Sequence, residues 1–243
     1  MTDKSVGVTD YRSIVGCLLW ISHVRPDISV VVSILSQFLT DPRESHYTAA
    51  KRVLRYLKGT LTLALTYTHE TLTQATVSHL LLHGYSDSDW GTNVNSRRSR
   101  SGYVFLFMAA CISWKSQLQV TTALSSAEAE YMAFCDAVKE AVYLRMLFTE
   151  IGLEHILGGE PTTIYEDSQG CIAMSKNPVK HGRTKHISIR FHMIWDMIND
   201  GEVFIDYCPT EYMVADCLTK PLSGDKFDQM VGWLGLKATS KTS

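Results

Sequence analysis

Leu80-Leu81-Leu82-His83-Gly84-Tyr85-Ser86-Asp87-Ser88-Asp89-Trp90 is the stretch on which the reading of the whole chain turns. A short apolar run bounded by turn chemistry marks a buried strand, predicted here from Leu80 to Asp87. The strand ends in Ser86-Asp87-Ser88-Asp89, and carboxylates at the end of a buried strand are costly unless their charge is compensated. A bound cation is one compensation. A solvated turn is another, because Asp and Ser populate turns freely. Whether further acids arrive on suitable elements decides between them.

Upstream, residues 10–58 read as three helices. Ile14, Leu18 and Ile21 follow helical spacing, Pro26 opens a second helix through Phe38, and Ala49, Val53, Leu54 and Leu57 mark a third that Gly59 ends. Leu61, Leu63, Leu65 and Tyr67 alternate as in a half-buried strand. The region from His69 to Thr76 reads as a linker.

Downstream, Gly102–Met108 and Ile112–Lys115 read as two strands of a hairpin turning at Ala109-Ala110, followed by a long helix from Ser126 to Ile151. A strand at Thr162–Glu166, helices at Ser168–Ser175 and Ile187–Ile198, a strand at Val203–Tyr207 and a helix at Thr210–Lys220 complete the pattern. A helical turn or two at Phe227–Trp233 comes last. Three strands, a helix, and then strands alternating with helices describe an α/β fold, a sheet covered by helices and preceded by a small helical segment. The division expected is 1–68, 78–222 and a C-terminal helical tail, 223–243.

The 243 residues suffice for one large domain or two modest ones, and the apolar fraction of 45% is that of a globular protein. No apolar run approaches the ~20 residues of a transmembrane span. The first residues, MTDKSVGVTDY, lack the apolar core of a signal peptide, so an intracellular chain is expected. Six cysteines without a C-x-x-C pair read as reduced core residues. The net charge of −2 does not point to nucleic acid, but the basic residues are clustered. Lys51, Arg52, Arg55 and Lys58 form one group, Arg97, Arg98 and Arg100 a second, and Lys180, Arg183, Lys185 and Arg190 with His181 and His186 a third. Each alone is a solvated face; together, flanking acids, they resemble a phosphate track.

Four carboxylates stand where structure alone explains them least. Asp87 ends the central strand, Glu130 lies one turn into the long helix, Asp167 follows the apolar Thr163-Ile164-Tyr165, and Asp216 interrupts Met213-Val214-Ala215 and Cys217-Leu218. Their neighbours have simpler explanations. Glu128 stands three residues after Ser125, the capping-box spacing. Asp89, which points the same way as Asp87, is either an auxiliary ligand or a turn former, and the turn is favoured; Glu166 alternates away from Asp167, toward solvent. If the four converge, each close pair repels by ~4 kcal/mol at an effective dielectric of about 20. Hard divalent cations relieve that repulsion, and an oxygen-only donor set suits Mg²⁺ or Mn²⁺ rather than zinc. Two such ions ~3.5–4 Å apart are the usual apparatus for phosphodiester hydrolysis.

Asp, Glu, Asp, Asp in that order resembles ribonuclease H. So do the local words: Ser86-Asp87-Ser88 for a T-D-G-S turn, Glu130-Tyr131-Met132-Ala133 for E-L-M-A, and Asp167-Ser168-Gln169 for D-S-Q. More specifically, YSDSDWG, ISWKSQ, ALSSAEAEYMA, RTKHISIRFH and ADCLTKPL resemble the ribonuclease H end of copia-type retrotransposon polyproteins. YRSIVGCLLWISHVRPDIS and AAKRVLRYLKGT resemble the end of that family's reverse transcriptase. The resemblance covers nearly the whole chain. It implies a ribonuclease H-like mixed sheet and an endonuclease that cuts the RNA strand of RNA–DNA hybrids with two Mg²⁺ or Mn²⁺ ions. Asp87 would bridge both ions, Glu130 and Asp167 would complete one, and Asp216 the other. Gln169 with Ser125 and Ser126 would touch the hybrid backbone, where 2′-hydroxyls distinguish RNA. Lys180, Arg183, Lys185 and His186 would hold DNA phosphates. The rest of a retroelement polyprotein is the implied protein partner, in a cytoplasmic particle or the nucleus.

Three departures stand out. The loop Cys208-Pro209-Thr210-Glu211-Tyr212 lacks the His that many cellular ribonucleases H carry there, so metal or product release must work otherwise or more slowly. Ser188 replaces an Asp usual in the RTKHISIRFH word. No Y-x-D-D occurs, and the chain begins inside what would be the reverse transcriptase, so polymerase activity is not expected. Two rivals remain: a truncated or domesticated fragment that binds nucleic acid or a partner without cutting, and a transposase-like member of the same fold. The latter usually ends its acidic set with Glu, where this chain has Asp216.

Overall fold

The computed structural model describes residues 4, 7–67, 81–93, 96–176 and 185–239, without the side chains of 185–191. The linker expected at His69–Thr76 lies outside them. Three helices come first, α1 (Val8–Ile21), α2 (Ser29–Leu35) and α3 (Glu44–Gly59), followed by the short strand β1 (Leu63–Leu65). Next are β2 (His83–Asp89), β3 (Arg100–Phe107), β4 (Ala110–Leu118) and the long helix α4 (Ser126–Glu150). The remainder is β5 (Thr162–Glu166), α5 (Gln169–Lys176), α6 (Lys185–Asn199), β6 (Val203–Tyr207), α7 (Asp216–Thr219), α8 (Gly224–Trp233) and β7 (Leu236–Ala238).

Five strands form one mixed sheet in the order β4-β3-β2-β5-β6, the α/β sheet covered by helices that the sequence pattern predicts. The β2–β3–β4 part is antiparallel, while β2, β5 and β6 run parallel. Leu80, where the central strand is expected to begin, lies outside the described residues; among those described it begins at His83, with Leu82 buried just before it and outside the ladder. Met108 and Ala109 turn the β3–β4 hairpin with φ of 53° and 63°, the double positive φ that suits the twist of the strands it joins.

The two faces of the sheet have different covers. Leu82, Tyr103, Phe105, Ile164 and Ile205 pack with Tyr131, Phe134, Cys135 and Val138 of α4. On the other face Val104, Leu106 and Cys111 pack with Val214, Cys217, Leu218, Met230 and Leu234 from the C-terminal elements. The expected helix at Thr210–Lys220 is instead a 3-10 turn at Thr210–Tyr212 and the four-residue α7. Among the described residues of the expected C-terminal tail, α8 is followed by the extended β7, which pairs antiparallel with β1. Gly235, at φ +82°, lies where a Cβ would come within 2.4 Å of Ala110 Cα, so the chain can pass over the hairpin only as glycine.

Helices α1 to α3 have their own core of Tyr11, Val15, Leu18, Ile28, Val32, Val53 and Leu57. The Arg25 guanidinium grips Asp27 with two hydrogen bonds of 2.9 and 2.7 Å, and the Tyr56 hydroxyl donates to the same carboxylate at 2.6 Å. The segment is bolted to the sheet by Arg100 Nη1 donating to Ser33 Oγ (2.6 Å) and Trp114 Nε1 donating to the Ser22 carbonyl (3.1 Å). Arg100 is therefore neither solvated nor part of a phosphate track; it is buried at the seam.

Gly102 stands opposite Asp87 in the β2–β3 register, and a Cβ there would meet Leu218 Cβ at 2.8 Å and Thr219 Cγ2 at 2.9 Å. The missing side chain is what lets α7 lie against the strand that carries Asp87. Gly102→Ala should therefore destabilise the fold by about 1–3 kcal/mol, as overpacking does, read as a lower midpoint in urea at unchanged m.

Candidate functional site

Asp87, Glu130 and Asp167 each bring a carboxylate oxygen to one place, all within 4.8 Å of one another. The strand register explains two of them. β2 and β5 pair from His83↔Thr163 to Tyr85↔Tyr165, and continuing that register by two residues sets Asp87 beside Asp167. Both carboxylates thus lie at the C-terminal ends of parallel strands, where the chains diverge and leave room for a ligand. Glu130 comes from the second turn of α4, on the face toward which Ser86 and Ser88 point. Ser125 starts that helix by accepting from the Glu128 amide (3.1 Å), while Glu128 accepts from the Leu124 amide (2.8 Å). Glu128 is the capping acid its spacing implies.

Each acid meets a different local environment. The Thr219 hydroxyl donates to Asp87 Oδ2, and the Thr210 hydroxyl donates to Asp167 Oδ2 at 2.6 Å. Glu130 Oε2 is buried with no hydrogen-bond partner among the described residues. Burial lifts the Asp87 carboxyl from its ordinary 3.8 to about 7; Asp216 and Asp167 add to the rise, and Lys220 and Thr219 oppose it. Burial, then Asp87 and Asp167, lifts Glu130 from 4.5 to about 9 against the pull of Ser88. Oxygen-only donors, two of them buried and one unpartnered, fit a hard divalent cation such as Mg²⁺ or Mn²⁺.

Asp216 does not join the three. It opens α7 fully buried, with Oδ1 2.7 Å from Lys220 Nζ and Oδ2 2.7 Å from Lys226 Nζ. Its charge is nonetheless felt at Asp87. Burial works against the Lys220 ammonium, yet Asp87, Asp216 and Asp89 together raise its pKa.

Glu166 corrects the sequence reading. It is fully buried, accepts from Ser86 Oγ at 2.7 Å and is pushed well above the usual carboxylate range, first by burial and then by Glu130. Alternation failed because β5 lies between two parallel neighbours with both faces covered, so neither side of the strand is solvent. Asp89, at the end of β2, is half-buried; its carbonyl accepts from Thr92 Oγ1 at 3.4 Å, as a turn former's does. Sequence reasoning also passed over Thr219, Lys220, Thr210 and Lys226. The first two sit inside the ADCLTKPL word, adjacent to Asp216, which was a signal; Lys226 gave none.

Ser126 and Gln169 are exposed at the starts of α4 and α5, and Gly170 brings those starts together, a Cβ there reaching Ala127 Cβ at 3.1 Å. Lys51, Arg52, Arg55 and Lys58 are exposed along α3. Lys180 and Arg183 lie outside the described residues. Lys185 and His186 open α6, with side chains outside the description. Among the described residues no helix is long and apolar enough to cross a membrane.

No family model matches the chain. It is 38% identical over 219 residues to the retrovirus-related Pol polyprotein from transposon TNT 1-94 of Nicotiana tabacum, which is 90% of this chain and 16% of that polyprotein. It is 37% identical over 233 residues to the Pol polyprotein from transposon RE1 of Arabidopsis thaliana, 96% of this chain and 15% of that one. A secreted RxLR effector protein 161 of Plasmopara viticola is 47% identical over 135 residues, 55% of this chain and 90% of the effector. The chain thus spans about a sixth of the length of the Pol relatives. Among solved structures, LC11-RNase H1 isolated from compost is 18% identical, covering 58% of this chain and 93% of its own at a TM-score of 0.43.

Because Asp87 and Glu130 bind protons more tightly in the folded chain than in the unfolded one, stability is lost as pH rises, from about 4 through about 7 for Asp87 and about 9 for Glu130. In metal-free buffer the thermal midpoint should fall by several degrees between pH 5.5 and 9, given that ~1 kcal/mol moves it by about 2–4 °C in a chain of this size. Adding Mg²⁺ at pH 9 should recover most of the loss, and a Glu130→Gln, Asp87→Asn variant should show little of it.

Proposed function

The chain belongs to the family of retrovirus-related Pol polyproteins of copia-type transposons, and on that premise we propose that it is a metal-dependent endonuclease that hydrolyses the RNA strand of RNA–DNA hybrids. The observation that supports this best is the meeting of Asp87, Glu130 and Asp167 at the open end of β2 and β5, with an orphaned Glu130 oxygen among them. Asp87, Glu130 and Asp167 would hold one Mg²⁺ or Mn²⁺, and Asp87 with Asp216 a second. When bound, the ions supply Lewis acidity toward the water nucleophile and the leaving oxygen.

The protein's own residues do the rest. The Thr219 and Thr210 hydroxyls each hold Oδ2 of the Asp87 and Asp167 carboxylates, which leaves Oδ1 of each outside those bonds. The ladders of β3 and β5 keep the strand of Asp87 from shifting. Ser125 spends its oxygen on the helix cap and keeps its O–H to donate, while Ser126 and Gln169 stand exposed beside it. Together they would offer donors and acceptors to a sugar-phosphate backbone, where the 2′-hydroxyl marks the RNA strand. As part of a polyprotein the chain would act wherever reverse transcription occurs, in a cytoplasmic particle or the nucleus.

Asp87→Asn keeps shape and removes one charge. It should lower cleavage of a labelled hybrid by orders of magnitude in Mg²⁺ while hybrid binding by fluorescence anisotropy persists or tightens slightly. Asp89→Asn, two residues on, should do far less. A well-folded parent that binds hybrid but cuts nothing in Mg²⁺ or Mn²⁺ would give the argument to a binding-only fragment.

A further inference from the structure

Asp216 and its two lysines form an ion cluster that the acidic triad does not need for its own assembly. Both carboxylate oxygens of Asp216 are taken, Oδ1 by Lys220 and Oδ2 by Lys226, each at 2.7 Å. Asp216 is fully buried, whereas each lysine side chain is more than a third exposed. The cations therefore come in from solvent to cover a charge that cannot leave. At least one of the two must stay unless another cation replaces it, because removing both strands a buried carboxylate. Lys226 arrives from α8, an element that packs on the sheet face opposite α4, so the clamp is fixed by the fold and not by a mobile side chain alone. Lys220 sits 2.7 Å from Asp216, and its charge is also felt at Asp87.

From this geometry, and resting on the metal-dependent reading above, we propose that Lys220 and Lys226 set the metal stoichiometry. The chain binds one divalent ion at Asp87, Glu130 and Asp167, and a second binds only by displacing an ammonium group from Asp216. The lysines are positioning residues that make the second ion weak and exchangeable until another anion draws them away. The phosphate of a bound strand has the right charge to do so. The free chain would then be a one-ion protein that becomes a two-ion protein on nucleic acid.

The test is a calorimetric titration of the full chain with Mn²⁺, together with electron paramagnetic resonance of the unbound ion. The wild type should show one ion and a much weaker second. Lys220→Met with Lys226→Met should tighten the second by roughly 10- to 100-fold, the range of one charge-assisted hydrogen bond, and leave the first nearly unchanged. Lys220→Arg with Lys226→Arg keeps the charges and should keep the second ion weak. If the methionine variant is too unstable to titrate, each single Lys→Met variant should tighten the second ion by less. Two ions of similar affinity in the wild type, or a second affinity indifferent to every lysine variant, overturns the proposal and leaves the nuclease reading standing. Absence of any Mn²⁺ binding that Asp87→Asn weakens overturns both.

Discussion

Mutual repulsion among buried carboxylates is the constraint on which the rest of this molecule depends. Asp87 and Glu130 are almost wholly removed from water, and Asp167 brings a third carboxylate within 4.8 Å of both. In low dielectric such groups either take up protons or hold a cation, and both outcomes need the backbone kept rigid enough that the acids cannot separate. The fold answers with its stiffest parts. Asp87 sits on the central strand, bonded on one side to β3 and on the other to β5, and Glu130 on a 25-residue helix packed along the sheet. Asp167 follows immediately on β5, a strand flanked on both sides. The two threonine hydroxyls each occupy one oxygen of Asp87 and Asp167, and Ser86 holds the neighbouring buried Glu166.

The same constraint explains the parts of the chain that carry no acid in the triad. Without the C-terminal elements, the face with Val104, Leu106 and Cys111 would be bare, and α7 would have nothing to hold it against Gly102. The β1–β7 ribbon ties the end of the helical segment to the end of the chain, and the Arg100–Ser33 and Trp114–Ser22 bonds join the segment to the antiparallel half of the sheet. The helical segment has its own core, but its polar contacts to the sheet make it a structural neighbour of the site's scaffold. Fold and site are thus one problem in electrostatics and packing: a charged centre held by apolar layers on both faces.

What was legible in the sequence follows from which physics is local. Hydrophobic period placed α4, β5 and β6 closely, because each buries a face whose repeat is visible in a few residues. The Ser125–Glu128 box fixed the start of α4 for the same reason. Glu166 and Asp216 show the opposite case. The surroundings of Glu166 depend on β2, β6 and α4, and those of Asp216 on Lys226 ten residues away on another helix, which no local pattern encodes. Leu81 and Leu82 lie just outside the strand they are expected to join, since an apolar run signals burial and says nothing of hydrogen-bonded pairing. β7 escaped notice because its partner, β1, lies far away in the sequence, before the whole five-stranded sheet.

The account stands or falls on whether the three carboxylates hold a cation. The direct measurement is anomalous diffraction at the manganese edge from crystals of the full chain grown with Mn²⁺. The account predicts a peak bonded at ~2.1–2.3 Å to oxygens of Asp87, Glu130 and Asp167 together. Manganese bound elsewhere, with these three carboxylates protonated and hydrogen-bonded to one another, would contradict it.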